Sequence, residues 1–184
     1  QFDENYVGIP LSEITIADRL AKLGYVNGLI GKWHLGEADH FHPNKRGFHE
    51  FWGYRGGGHN YFANRTDGSS YKNTLESNYK TPQEIPYLTD DKGDECVDFI
   101  KRHKEEPFFL FASFNAPHAP MQATDADLKL YSHIKDEKRR IYAAMVHRLD
   151  VNIGRIMNEL KAQNIDKNTV VVFFSDNGGP CDHN

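Results

Sequence analysis

The chain of 184 residues holds only two cysteines, Cys96 and Cys181, too few for a disulfide framework and without the paired spacing of a zinc site. Long apolar runs are missing too. Runs such as Phe108–Ala112 and Val170–Phe174 fall far short of the roughly 20 residues that cross a bilayer, so no membrane span is expected in this segment. There is no surplus of positive charge: 22 Lys and Arg stand against 26 Asp and Glu, a net charge of −4. That balance gives no general pull on phosphate backbones and argues against a nucleic-acid partner. No initiator Met, basic n-region or apolar h-region opens the chain, so no targeting signal is legible. Both ends read as interruptions of a longer protein, and the compartment is unknown from the chain itself.

What is present is an ordinary globular composition, 39% hydrophobic and 26% charged, long enough to bury roughly 70% of its unfolded surface in one core. Ten histidines are more than a domain of this size usually carries. Thr15 to Leu23 reads as a helix, with Thr15 capping, Asp18 three residues on and Gly24 as the stop. Tyr25–Ile30 follows as a buried strand. From Glu37 to Tyr87 periodicity lapses and Gly, Asn, Tyr and His dominate, including Gly56-Gly57-Gly58. A segment so long is expected to be a functional insertion with short local elements. A helix capped by Thr89 runs to Lys104, with Val97 and Ile100 inward, and Phe108–Phe114 is a continuous apolar strand of the kind covered on both faces. A long helix spans Lys135 to Gln163. Thr169–Phe174 is the strongest strand pattern in the chain. Alternating helices and strands predict an α/β fold with a mostly parallel sheet between helices. Ligands of such sheets sit beyond the carboxyl ends of the strands.

Each of the three strand patterns ends in a compact polar motif. Gly31-Lys32-Trp33-His34 places a cation and an imidazole two residues apart; in an extended segment both point one way. They suit an anionic group and proton exchange, although taken alone the pair also reads as a solvated Lys and a core His beside Trp33. In Asn115-Ala116-Pro117-His118-Ala119-Pro120 two prolines restrict the backbone around His118; the plainer reading is a rigid turn with an incidental His. Asp176-Asn177-Gly178-Gly179 offers a carboxylate and an amide carbonyl, hard ligands for Ca²⁺ or Mg²⁺, or an Asx turn closing a strand. Two donors are too few for a complete site. His59, beside the glycine run, is retained as a candidate substrate contact.

In combination these motifs resemble the sulfatase family of the alkaline-phosphatase-like superfamily. The stretch from Thr15 to Tyr25, Gly31-Lys32-Trp33-His34-Leu35-Gly36, and Gly47-Phe48-His49-Glu50-Phe51-Trp52-Gly53-Tyr54 carry the resemblance. So do the Pro107–Leu110 strand leading to His118, Leu149-Asp150 with Ile153-Gly154, and Ser175-Asp176-Asn177-Gly178, all in order. The resemblance implies that residues 1–184 are a central part of one alkaline-phosphatase-like catalytic domain, with 37–87 as a substrate-side insertion. It implies a sulfuric ester hydrolase in which Lys32 and His34 contact the sulfate and the nucleophile and His118 is the proton donor. Asp176 and Asn177 would then hold part of a calcium site, with magnesium the alternative metal. A sulfated small molecule or sulfated carbohydrate is the expected substrate.

The family nucleophile is a formylglycine made by a maturation enzyme from the Cys or Ser that opens a C/S-x-P-S-R segment. Neither Cys96 nor Cys181 opens one, so that residue is expected upstream of Gln1, together with a pair of acidic metal ligands, and a further Lys is expected after Asn184. The isolated 184 residues are accordingly expected to hydrolyse no sulfate ester. Two alternatives stand beside this reading: a phosphate or phosphonate ester hydrolase on the same scaffold, and a non-catalytic or truncated homologue. Asn64-Arg65-Thr66 is an N-glycosylation sequon, meaningful in a eukaryotic secretory route. By resemblance the compartment is periplasmic, secreted or lysosomal.

Overall fold

A computed structural model of the chain describes residues 7–62, 74–80 and 86–178. The sequon at Asn64–Thr66, Gly179 and Cys181 lie outside the described residues. Four strands, β1 (Val26–Lys32), β2 (Glu50–Tyr54), β3 (Glu76–Ser77) and β4 (Phe108–Ser113), form one sheet in the order β3-β2-β1-β4. β1 runs parallel to β2 and β4, and only the two-residue β3 is antiparallel. Among the described residues four α-helices accompany them: α1 (Ile16–Ala21), α2 (Leu88–His103), α3 (Asp125–Leu130) and α4 (Glu137–Ala162). No described helix is long and apolar enough to cross a membrane.

The period of two along the strands builds two cores. Leu29 of β1 and Phe51 of β2 pack with Ala17 of α1, Trp33 and Phe48 on one face of the sheet. Ile30 and Trp52, each one residue on, point the other way and join Leu88, Cys96 and Phe99 of α2 and Met145 of α4. α1 forms where the capping signal placed it: Thr15 Oγ1 accepts from the Asp18 N–H while Asp18 accepts from the Thr15 N–H, a reciprocal cap whose loss typically costs about 1 kcal/mol. The wholly buried Asn27 ties this layer to the sheet, donating to the carbonyls of Ala17 at 2.7 Å and Gly47 at 2.8 Å.

Several expectations change on contact with the structure. α2 begins at Leu88 with Tyr87 at its cap and no side-chain cap bond, so Thr89 is inside the helix rather than capping it. Its inward face is Leu88, Lys92, Cys96, Phe99 and Ile100, and Val97 is only half-buried. Residues 50–54, within the segment expected to be an insertion, form β2 and pair with β1 along its length. β4 is half-buried throughout, because β1 bonds it on one side and no described strand bonds it on the other. The largest departure is Thr169–Phe174, which is not a strand of the sheet among the described residues. Val170 is 90% exposed and Phe173 76%. Its side chains have strand character, but a strand exists only when a neighbour accepts and donates its backbone bonds, and none does so among the described residues.

Candidate active site

Two glycines stand near the carboxyl ends of β1 and β2. Gly31 and Gly53 face each other across β1 and β2 with φ of 125° and 153°. A Cβ on Gly53 would lie 1.8 Å from the Gly31 carbonyl oxygen, and one on Gly31 would lie 1.9 Å from that of Ser113. Only glycine permits both the backbone angle and the approach. Lys32 follows as the last residue of β1. The ladder to β2 continues one step beyond it, Trp33 N–H donating to the Tyr54 carbonyl at 3.0 Å and His34 N–H to that of Arg55 at 2.9 Å. Trp33 is buried, its Nε1 donating to the Phe41 carbonyl at 3.0 Å, and anchors the turn. His34 takes φ 56°. The Lys32–His34 relation therefore rests on a left-handed residue against a pinned backbone, not on the extended alternation read from the sequence.

His34 is the electrostatically perturbed member of the site. Partial burial lowers its pKa first, the charge of Lys32 adds to this, and His118 acts in the same direction, with Glu37 opposing. Lys32 and His34 follow the end of β1 and His118 lies beyond the end of the adjacent parallel strand β4. The His118 turn is held from several sides. Its N–H donates to the Asn115 carbonyl at 2.7 Å, and its carbonyl accepts from the hydroxyl of the wholly buried Tyr61 at 2.8 Å. Its Nδ1 lies 2.7 Å from the Ala119 carbonyl oxygen. Since that oxygen can only accept, Nδ1 carries a proton, and a second proton for delivery from Nε2 requires the imidazolium.

The glycine run closes the other side of His34. A Cβ on Gly57 would sit 2.7 Å from His34 Nε2, so bare backbone lies against the imidazole. His59, two residues further, tilts against Tyr54 with ring centroids 5.2 Å apart, and its Nδ1 lies 2.7 Å from the Asn60 carbonyl. It flanks the site at the end of β2. Arg55 fixes this edge by a bidentate pair with Glu76, both contacts at 2.8 Å.

Asp176 and Asn177 lie in an exposed turn at the end of the unpaired 169–174 segment. Asn177 N–H donates to Asp176 Oδ1 at 2.9 Å and Gly178 N–H to Ser175 Oγ at 3.0 Å, bonds that reach one and three residues along the chain rather than the two of an Asx turn. Their donor chemistry fits a hard divalent cation. Among the described residues there is no group of three or more His, Cys, Asp or Glu that could hold a metal, so these two fit as part of a shell only.

Three residues of this region were not singled out from the sequence. Gly57 lay in a noticed run, but nothing in the run points to His34. Asn115 was seen only as part of the His118 turn. Lys92 carried a legible signal: it falls in the Leu88, Cys96, Ile100 stripe of α2, a lysine where the helical period demands an apolar side chain.

Comparison with known proteins places the chain. A family model described as Sulfatase matches residues 1–184. Human N-acetylgalactosamine-6-sulfatase is 34% identical over 183 residues, covering 93% of this chain and 34% of its own length. The arylsulfatase of Klebsiella aerogenes is 28% identical, covering 89% of this chain and 47% of its own length. Among solved structures, Ps i-CgsB superposes with a TM-score of 0.80 at 39% identity over 86% of this chain and 38% of its own; the same figures hold for its complex with k-i-k-neocarrahexaose. The chain thus spans about a third to a half of these relatives.

Proposed function

The chain belongs to the sulfatase family, and from that premise we propose that it carries part of the active site of a sulfuric ester hydrolase acting on sulfated carbohydrates. The observation that carries this reading is the placement of Lys32, His34 and His118 just beyond the carboxyl ends of adjacent parallel strands. Hydrolysis of a sulfate ester moves negative charge onto the sulfuryl oxygens and onto the bridging oxygen of the departing alcohol. Lys32 supplies a fixed cation for the sulfuryl oxygens. His34, favoured in its neutral form by burial and by Lys32, presents an imidazole able to hydrogen-bond the nucleophile. His118, as imidazolium, gives the leaving oxygen its proton while the Ala119 carbonyl holds the ring by Nδ1.

Asp176 and Asn177 would hold part of a calcium shell, with magnesium the alternative, and the bound cation would stabilise charge on the sulfuryl group. The nucleophile in this reading is the family's formylglycine, whose C/S-x-P-S-R segment does not occur in residues 1–184. The carbohydrate part is supported by a relative named N-acetylgalactosamine-6-sulfatase and by Ps i-CgsB in complex with k-i-k-neocarrahexaose. The placement of His59 on Tyr54 beside the site suits a sugar ring.

The test is kcat/KM of the full-length protein on sulfated saccharides, aryl sulfates and matched phosphate esters. Preference for sulfated saccharides is expected. Turnover of aryl sulfates alone removes the carbohydrate part, and faster turnover of phosphate esters removes the sulfatase reading.

A further inference from the structure

Lys92 is a wholly buried lysine that the mechanism above does not use. No ion pair is formed by it among the described residues. Its Nζ donates instead to Asn115 Oδ1 at 2.7 Å, lies 3.5 Å from the Ser113 carbonyl oxygen and sits 5.0 Å above the centre of the Tyr54 ring. Ser113 and Tyr54 are the last residues of β4 and β2, and they flank the end of β1 that carries Gly31 and Lys32. The amine thus lies at the ends of all three parallel strands.

We propose that Lys92 is a positioning residue of the site: its amine holds Asn115 and, through Asn115, the turn that presents His118. The path is short and continuous. Lys92 Nζ donates to the Asn115 side chain, and the Asn115 carbonyl accepts the His118 N–H at 2.7 Å. Asn115 is itself 5% exposed, and its Nδ2 finds no acceptor among the described residues. The Lys92 contact is therefore what fixes its amide orientation.

A lysine is an expensive way to fill this volume. Burying an ammonium without a carboxylate partner is unfavourable, and an apolar side chain of similar size in such a place is often neutral or stabilising. Burial pulls the Lys92 pKa down to about 7; Lys32 adds to this and Cys96 opposes it. A residue that weakens the core while gripping the His118 turn is explained by the turn.

The proposal rests on His118 as the proton donor, and the test separates the two. Lys92→Met and Lys92→Gln are made in the full-length protein. Met fills the volume and removes the donor, whereas Gln keeps an N–H donor for Asn115 Oδ1 and is the poorer core residue. Melting temperature, kcat on sulfate esters of poor leaving groups, and the NMR cross-peaks of the His118 ring are compared. Lys92→Met should melt at or above the wild type yet lose about 10- to 100-fold in kcat, as expected for a displaced catalytic group. Lys92→Gln should melt lower and keep most of the wild-type kcat, with the His118 cross-peaks displaced in the Met variant and restored in the Gln variant. A kcat that simply follows melting temperature, or an unchanged kcat in Lys92→Met, overturns the proposal. If the wild type turns over no sulfate ester, the functional reading fails by itself. The ring cross-peaks then decide, and ones that stay unmoved in Lys92→Met overturn the positioning role.

Discussion

Replacing Gly57 by alanine should damage catalysis while leaving the fold almost untouched. The new Cβ would lie 2.7 Å from His34 Nε2, 2.9 Å from Cε1 and 3.3 Å from Cδ2. Comfortable heavy-atom contact begins at about 3.5 Å, so the imidazole must retreat by about 0.8 Å. The clashing atoms are the far end of a rotatable side chain, not backbone. Gly57 is also outside the positive-φ glycines, so alanine meets no backbone strain and restricts the unfolded chain, a gain of about 0.4–1 kcal/mol. A ring pushed off its rotamer gives back a similar amount, about 0.5–1.5 kcal/mol. Net stability should therefore change by less than about 1 kcal/mol. A misplacement of about 1 Å can cost about 100-fold in rate, and that is the scale expected for kcat on a sulfate ester. The assay is thermal unfolding alongside steady-state kinetics in the full-length protein. Gly154→Ala serves as the control: its Cβ meets nothing within 4 Å inside α4, so it should add about 1 kcal/mol of stability and leave kcat alone. Wild-type kcat in Gly57→Ala, or its unfolding, would refute the reasoning.

Other expectations follow from the same geometry. His118→Ala should lower kcat most for esters of poor leaving groups, and an equal loss for good and poor ones would count against proton donation. Chelation of divalent metal, or Asp176→Ala, should depress turnover, with calcium restoring only the chelated wild type; turnover indifferent to chelator excludes the metal role. Lys92 gives a stability signature of defined sign. Its folded value of about 7 lies below the ordinary 10.5, so between these the unfolded chain holds the extra proton. The stability from this group is greatest above the unfolded value and is lost as pH falls toward 7. The wild-type-minus-Lys92→Met difference in unfolding free energy should therefore climb by about 1.4 kcal/mol per pH unit through this window. A flat difference means the amine is hydrated.

The sequence was most legible where local chemistry and global fold agree. Thr15 and Asp18 cap α1 as their spacing says, and the apolar runs at β1 and β4 deliver Lys32 and His118 to neighbouring strand ends. β2 escaped notice because Glu50-Phe51-Trp52-Gly53-Tyr54 is only five residues long and includes a glycine. That glycine is there because the Gly31 carbonyl occupies the space of a side chain, a fact of pairing that no window of sequence contains. Thr169–Phe174 failed in the opposite direction: its residues favour a strand, and pairing did not follow. His34 shows the limit within the site itself. Its motif named it, but its left-handed backbone and its contact with Gly57, 23 positions away, belong to tertiary structure alone.

The unpaired run from Val170 to Phe174 also bears on how the isolated polypeptide behaves in solution. Five successive apolar, β-favouring residues without a charge are exposed, and the last strand of the sheet, β4, is bonded on one side only among the described residues. Such segments template the backbone of a second molecule. The 184-residue polypeptide should self-associate with rising concentration, and a single Val172→Lys substitution should keep it monomeric by light scattering without touching Lys32, His34 or His118. The segment that ends in the Asp176-Asn177 turn would then also be the protein's weakest point as a separate molecule.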